Sequence, residues 1–174
     1  KPIGSIVVAA KRLAVGDFNV VLESGRKDEI GELITSVQSI KDAVADMIAD
    51  ANTLSKAAVE GRLSVRADVN KHQGDFRRIV QGVNDTLDSV VGPLNMAASH
   101  VESISKGDIP PTITESYSGD FNTIKTNLNV LIGAMNNITR VAQEIAKGNL
   151  EVDVHARSER DELMRAIAAM ASKL

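Results

Sequence analysis

Apolar residues recur along most of the chain at alternating intervals of three and four positions. From Ile30 to Ala58 the intervals are 3, 4, 3, 4, 3, 4, 3 and 4, and the segment from Phe121 to Ile145 keeps the same rhythm. An average of about 3.5 residues is typical of the seam of a left-handed coiled coil, whereas an isolated surface helix has a period nearer about 3.6. The pattern therefore predicts long helices that pack against other helices.

Two further segments show related patterns. The apolar positions from Phe76 to Ile104 have intervals of 3, 4, 4, 3, 4, 3, 4 and 3, and the doubled four shifts the phase of the seam. A shorter segment, from Ile3 to Leu13, opens the chain with the same rhythm. We predict that the long helices contain about 28 to 30 residues and are about 42 to 45 Å long.

Two sequence markers recur four times in step with these helices. A glycine follows each apolar segment, and an aspartate follows each glycine after 12 to 14 residues. The glycines are Gly16, Gly61, Gly107 and Gly148, and the aspartates are Asp28, Asp75, Asp120 and Asp161. Such self-similarity indicates a repeat. We divide the chain into copy 1 (1–48), copy 2 (49–91), copy 3 (92–136) and copy 4 (137–174).

The markers also predict where helices end and begin. Glycine can adopt the left-handed conformation that closes a helix, so each helix is predicted to end at its glycine. Carboxylates are favoured in the first turn, so each aspartate is predicted to open the next helix. In copy 4, residues Ser158 to Asp161 fit an S-x-x-D cap.

About a dozen mostly polar residues connect each glycine to the next aspartate. A connector of that length spans up to roughly 35 to 40 Å, enough to return along the finished helix so that the next helix runs parallel to it. Apolar residues two and six positions after each glycine are predicted to pin the connector to the helices. They are Phe18 and Leu22, Leu63 and Ala67, Ile109 and Ile113, and Leu150 and Val154. Ala67 is the weakest of these, and Val65 or Val69 is an alternative.

Pro93 lies inside the predicted helix of residues 76–104, after Gly92. Proline removes one helical hydrogen bond and clashes with the preceding turn, so we expect a kink near the boundary between copies 2 and 3. Two interpretations remain open. The site is either a functional hinge or a break in the helix without a functional role.

Composition narrows the possible functions. The 174 residues carry a net charge of −3 and only four aromatic side chains, and the sequence has no basic run, which disfavours nucleic-acid binding. The chain lacks cysteine, and its three histidines share no metal-ligand spacing. We expect His72 and His100 to be surface or partly buried residues, and we expect no metal, cofactor, small-molecule ligand or enzymatic activity.

The chain contains no run of 18 apolar residues and no signal-peptide pattern. It starts at Lys1-Pro2 and stops within a predicted helix at Lys173-Leu174. We therefore expect it to be a segment of a longer protein.

The order of helix, pinned connector and Asp-Glu-x-Gly motif resembles the HAMP signalling module. Copy 1 matches best, with Pro2-Ile3 at the start of the first helix, Gly16-Asp17-Phe18 at its end and Asp28-Glu29-Ile30-Gly31 opening the second. Copy 4 has Asp161-Glu162-Leu163, with Met164 in place of the glycine, and its second helix is truncated. Copies 2 and 3 have Gly-Asp-Phe and lack the glutamate.

The resemblance implies an all-α fold in which two chains form parallel four-helix coiled-coil bundles that stack end to end. It implies a homodimer that relays movement from an upstream transmembrane or sensory helix to a downstream output domain, on the cytoplasmic side of the bacterial inner membrane. Glu29 and Glu162 would contact backbone or the partner helix. Arrays of this kind are similar to those of bacterial methyl-accepting chemotaxis receptors. Sensor histidine kinases and a passive coiled-coil spacer are the alternatives.

Overall fold

The computed structural model describes residues 2–22 and 25–173, and within them the fold is all-α, as predicted. Those residues form five α-helices and no strand. The helices are α1 (Pro2–Ala14), α2 (Glu29–Val59), α3 (Gly74–Ser105), α4 (Gly119–Ala146) and α5 (Glu162–Ala171). A short 3-10 helix, Val69–Lys71, lies within the connector of copy 2. No described helix is both long and apolar enough to cross a membrane.

The four repeated glycines end their helices as predicted. At the end of α2, Gly61 has a φ of +74° and its N–H donates to the carbonyl of Ala58 at 3.0 Å, while Arg62 N–H donates to the carbonyl of Ala57 at 2.8 Å. This pair of bonds is the Schellman motif, in which a left-handed residue satisfies the last carbonyls of a helix. The same pair of bonds recurs at Gly16, Gly107 and Gly148.

The helices begin in two different ways. Asp28 and Asp161 are N-caps, each with a carboxylate that accepts a backbone N–H three residues later. By contrast, α3 and α4 begin at Gly74 and Gly119, whose φ angles are +54° and +56°, and place Asp75 and Asp120 in the first turn. The predicted carboxylate is therefore present in all four starts, but it is the capping residue in only two.

The predicted S-x-x-D cap of copy 4 is wrong. Ser158 Oγ accepts from Arg160 N–H at 3.3 Å, and Asp161 N–H donates to the backbone carbonyl of Ser158 at 3.1 Å. The Asp161 carboxylate takes the capping position because it reaches Met164 N–H, at 3.2 Å. Residues 158–161 thus form a turn before the helix and not its first turn.

The chain divides into two compact units, residues 1–91 and residues 92–174. In the first unit α1 packs against α2, and the buried apolar residues include Ile6, Ala9, Val20 and Ile34. In the second unit α4 and α5 enclose a core cluster of Val141, Ile145, Met164 and Ala171. The connector of copy 4 adds Val152 and Val154 to that cluster.

A single chain leaves much of the predicted coiled-coil seam exposed. Val83, for example, is 42% exposed, whereas Val80 is 4% exposed and Asn84 8%. In α3 the buried Val80 and Asn84 lie beside the seam, on the flank where the connector packs. In other helices some seam residues are buried, namely Leu54, Leu128 and Ile145. The exposed seam residues include Leu33, Ile40, Ile79, Val83, Val90, Leu94, Val101 and Leu131.

Pro93 does not break its helix. α3 is continuous from Gly74 to Ser105 with the proline inside it, so the interpretation as a helix break is wrong. One missing hydrogen bond is a local loss that a long helix can absorb. The kink and the hinge stay predictions.

Candidate functional site

The candidate functional site is the set of contacts by which each connector is held to its helices. In copy 1, Arg26 pairs with the Asp28 carboxylate through Nε at 3.0 and 3.1 Å and through a second guanidinium nitrogen. Asp28 also accepts Gly31 N–H at 3.0 Å. The hydrogen bond from Arg26, together with the one from Gly31, lowers the pKa of Asp28 to about 2.

Gly31 lies where only glycine fits. A Cβ atom built on it would be 2.2 Å from the carbonyl oxygen of Arg26. The side chain missing at Gly31 lets the connector backbone at Arg26 pass directly over the first turn of α2. The glycine of the Asp-Glu-x-Gly motif thus has a steric reason in this chain.

Copy 4 reaches a similar cap with a different loop. Arg157 Nε lies 2.6 Å from Asp161 Oδ2, and Arg157 N–H donates to the same oxygen at 3.0 Å. These bonds hold the pKa of Asp161 well below its usual range. Arginine and aspartate are four positions apart here and two apart in copy 1. At the position of Gly31, copy 4 has Met164, which is 1% exposed and belongs to the core cluster.

The motif glutamates were predicted to contact backbone or a partner helix, and the described residues show no such backbone contact. Glu29 and Glu162 are exposed, and neither side chain has a hydrogen-bond or salt-bridge partner among the described residues. A contact with a partner helix stays a prediction for both.

Of the apolar residues predicted to pin the connectors, those six positions after each glycine are more buried than those two positions after it. Ile113 is 4% exposed, and Val154 packs on the core cluster of copy 4. Phe18, Leu22, Ala67 and Ile109 are half-buried. Two first positions are not buried by the chain, since Leu63 is 37% and Leu150 39% exposed.

Copy 1 buries a connector residue that the repeat pattern missed. Val20, four positions after Gly16, is 4% exposed and lines a pocket with Ala9 of α1. In copy 2, both alternatives to Ala67, Val65 and Val69, are half-buried like Ala67 itself.

Two asparagines, also missed, hold the connectors of copies 2 and 3. The Asn84 side chain accepts Ala67 N–H at 3.0 Å and donates to the Ala67 carbonyl at 2.9 Å. Asn129 does the same to Ile113, at 2.7 and 3.0 Å. We call this two-bond arrangement the asparagine clasp. Its sequence signal is spacing, since each asparagine lies nine residues after the aspartate of Gly-Asp-Phe.

His72 differs from its prediction. It is 5% exposed, and its Nε2 lies 2.6 Å from Oδ2 of Asp50 in α2. The connector of copy 2 returns along α2 and so carries His72 to a helical position 22 residues earlier. His100 is half-buried, as expected, with Nδ1 2.8 Å from the carbonyl of Met96. The described residues contain no cluster of potential metal ligands.

The Asp28 cap predicts a pH-dependent stability. Because the folded pKa of Asp28, about 2, lies below its ordinary value of 3.8, its stabilising effect is present above about pH 4 and is lost as pH falls towards 2. Thermal unfolding of the wild type and Asp28→Asn should differ most near neutral pH and converge in acid. Asp75→Asn, at a side chain that is 85% exposed, is the control and should change little. A Tm difference for Asp28→Asn that stays constant from pH 7 to 2 would contradict the prediction.

The comparisons with known proteins agree with this architecture. A family profile described as HAMP domain matches residues 1–46 and 128–174, and a second, also described as HAMP domain, matches 71–137. The second match overlaps copies 2 and 3, and the four boundaries stay a prediction. No solved structure matches the chain. HAMP domains are signal-relay modules of membrane-anchored bacterial sensors. The resemblance is confirmed, and the chain belongs to the HAMP domain family, with its domains in tandem.

Proposed function

We propose that this chain works as a parallel homodimer. In that dimer it relays a conformational change from an upstream transmembrane or sensory segment to a cytoplasmic output domain, at the inner face of the bacterial inner membrane. The relay has no chemistry of its own. Our first choice of output is that of a chemotaxis receptor, because tandem Gly-Asp-Phe copies resemble those arrays. A sensor histidine kinase would use the same relay.

The exposed seam carries the proposal. Ile79 and Val83 are 51% and 42% exposed in the single chain, and with Ala51 and Leu54 of α2 they line an apolar groove. A regular 3-4 spacing of apolar residues along helices of 28 to 32 residues is what coiled-coil pairing requires. A second copy of the chain would present the same stripe and bury both.

The residues of α2 and α3 that line the same pockets support a parallel arrangement of these two helices. Ser39 and Ala43 of α2 line a pocket with Gly74 and Phe76, at the start of α3. The later α2 residues 47–54 line the apolar groove with α3 residues 79–83. Residue numbers therefore increase in the same direction along both helices.

Helix continuity and the connector contacts favour a relay over a passive spacer. The helices α2, α3 and α4 each run through a predicted boundary between copies, so a rotation of one end would be passed on and not absorbed in a loop. A spacer of fixed length would need only the helices. It would have no use for connectors that return and are held by side chains.

Crosslinking at the seam tests the proposal. The chain has no cysteine, so Val83→Cys introduces a single thiol that a short bis-maleimide should join between two chains. Val130→Cys, 67% exposed and off the seam, is the control and should crosslink poorly. In the full-length sensor, the crosslink at residue 83 should change the output activity. Lack of crosslinking would contradict the dimer, and crosslinking without a change of output would indicate the spacer.

A further inference from the structure

The asparagine clasp of copies 2 and 3 lies in a position where it can couple connector and helix. Its two hydrogen bonds join one side chain to both the N–H and the carbonyl of a single connector residue, Ala67 or Ile113. A slip of the connector by one residue would turn that N–H and carbonyl away and break both bonds at once. Asn84 is 8% exposed, so little water is at hand to replace them.

A second contact accompanies each clasp and fixes the direction of the connector. In copy 2, Arg66 pairs with Asp88 at 2.7 and 2.9 Å, one helical turn after Asn84. In copy 3, Lys125 Nζ donates to the carbonyl of Glu115 at 2.7 Å, one turn before Asn129. In both copies higher connector numbers meet lower helix numbers, so the connector runs antiparallel to the helix that follows it.

Copies 1 and 4 hold their connectors at a different place. Measured from the apolar residue that follows the motif carboxylate, the position of the asparagine is taken by Gln38 in copy 1 and Ala171 in copy 4. Their capping aspartates pair with Arg26 and Arg157 at the very start of the helix. In copies 2 and 3 the second helices, α3 and α4, begin instead at a glycine, and Ser118 before α4 makes no side-chain capping bond.

We propose that Asn84 and Asn129 are positioning residues that make connector and helix move as one body in copies 2 and 3. Among the described residues of copies 1 and 4, the hydrogen bonds between the connector and the helix that follows it lie at the first turn of that helix. The rest of the connector is held by apolar contacts such as those of Val20 and Val154, which have no fixed direction and let the helix rotate beneath it. The connectors of the two inner copies, 2 and 3, therefore follow their helices more tightly than those of the two outer copies, 1 and 4. The consequence for signalling rests on the proposed relay function, whereas the coupling itself does not.

Amide hydrogen exchange of the 174-residue chain tests the coupling. Asn84→Leu keeps the number and branching of the side-chain heavy atoms and removes both hydrogen bonds, so the protection of Ala67 N–H should fall by at least about tenfold while that of Ile113 N–H is unchanged. Asn129→Leu should have the reverse effect. Asn95→Leu and Asn127→Leu are matched controls at exposed positions of α3 and α4, and they should leave both amides protected.

An aspartate variant separates hydrogen bonding from packing. Asn84→Asp keeps an acceptor for Ala67 N–H but loses the donor at neutral pH, and it should lose protection as the leucine variant does. Acidification protonates the new carboxyl, restores a donor and should return most of the protection relative to the wild type at the same pH. Retained protection in Asn84→Leu, or a loss spread evenly over the chain, would overturn the proposal.

The full-length sensor provides the signalling arm. Adding Asn129→Leu to the Val83→Cys sensor should leave the crosslink intact and reduce the change of output that it causes by at least about threefold. An unchanged effect on output would overturn the role of the clasp in signalling. If the crosslink at residue 83 has no effect on output even with Asn129 present, but the exchange results hold, the relay is wrong and the coupling stands.

Discussion

Ile132→Ala is expected to lower the free energy of unfolding by about 2–5 kcal/mol. Ile132 lies in α4 beside the predicted seam and is 0% exposed. Truncation removes three buried carbon atoms, and the surrounding helices close the resulting cavity only in part. The higher helix propensity of alanine returns only a few tenths of this loss. Chemical denaturation followed by circular dichroism measures the change.

Val130→Ala is the matched control for this prediction. It lies two residues away on the same helix, carries a similar β-branched side chain and is 67% exposed. Its truncation leaves no cavity, so the free energy of unfolding should change by less than about 0.5 kcal/mol. Equal losses for the two variants would mean that Ile132 is not part of a packed core.

Gly31→Ala is expected to cost about 1–3 kcal/mol, through steric overlap and not through a cavity. The new Cβ would lie 2.2 Å from the carbonyl oxygen of Arg26 and 2.7 Å from its carbonyl carbon. Both are backbone atoms, so the connector itself must move. That movement pulls Arg26 from Asp28, and the acid-dependent part of the stability should shrink together with the Tm.

Gly133→Ala provides a control of opposite sign. Gly133 lies inside α4, and a Cβ there would meet nothing within 4 Å. Alanine in a helix interior is favoured over glycine by roughly 0.5–1 kcal/mol, so this variant should be more stable than the wild type. A neutral Gly31→Ala, beside a stabilising Gly133→Ala, would show that the close approach at Arg26 is not needed.

The sequence by itself predicted the helices and most of their ends. The 3-4 spacing of apolar residues marks α1 to α4, and the glycines at 16, 61, 107 and 148 end them in Schellman motifs. These features depend on interactions within about five residues of chain, which makes them readable without knowledge of the fold. The family resemblance rests on the same local markers.

Only the tertiary structure decided how the connectors are held. The asparagine clasp joins residues 16 or 17 positions apart, and the His72–Asp50 pair spans 22. Such pairs depend on the path of a connector whose polar sequence has no fixed period. Asp161 and not Ser158 caps α5, because Arg157 pairs with the Asp161 carboxylate and residues 158–161 form a turn before the helix. Spacing along the chain determined the helices, because their hydrogen bonds are local. The contacts between connector and helix were determined only once the chain had folded back on itself.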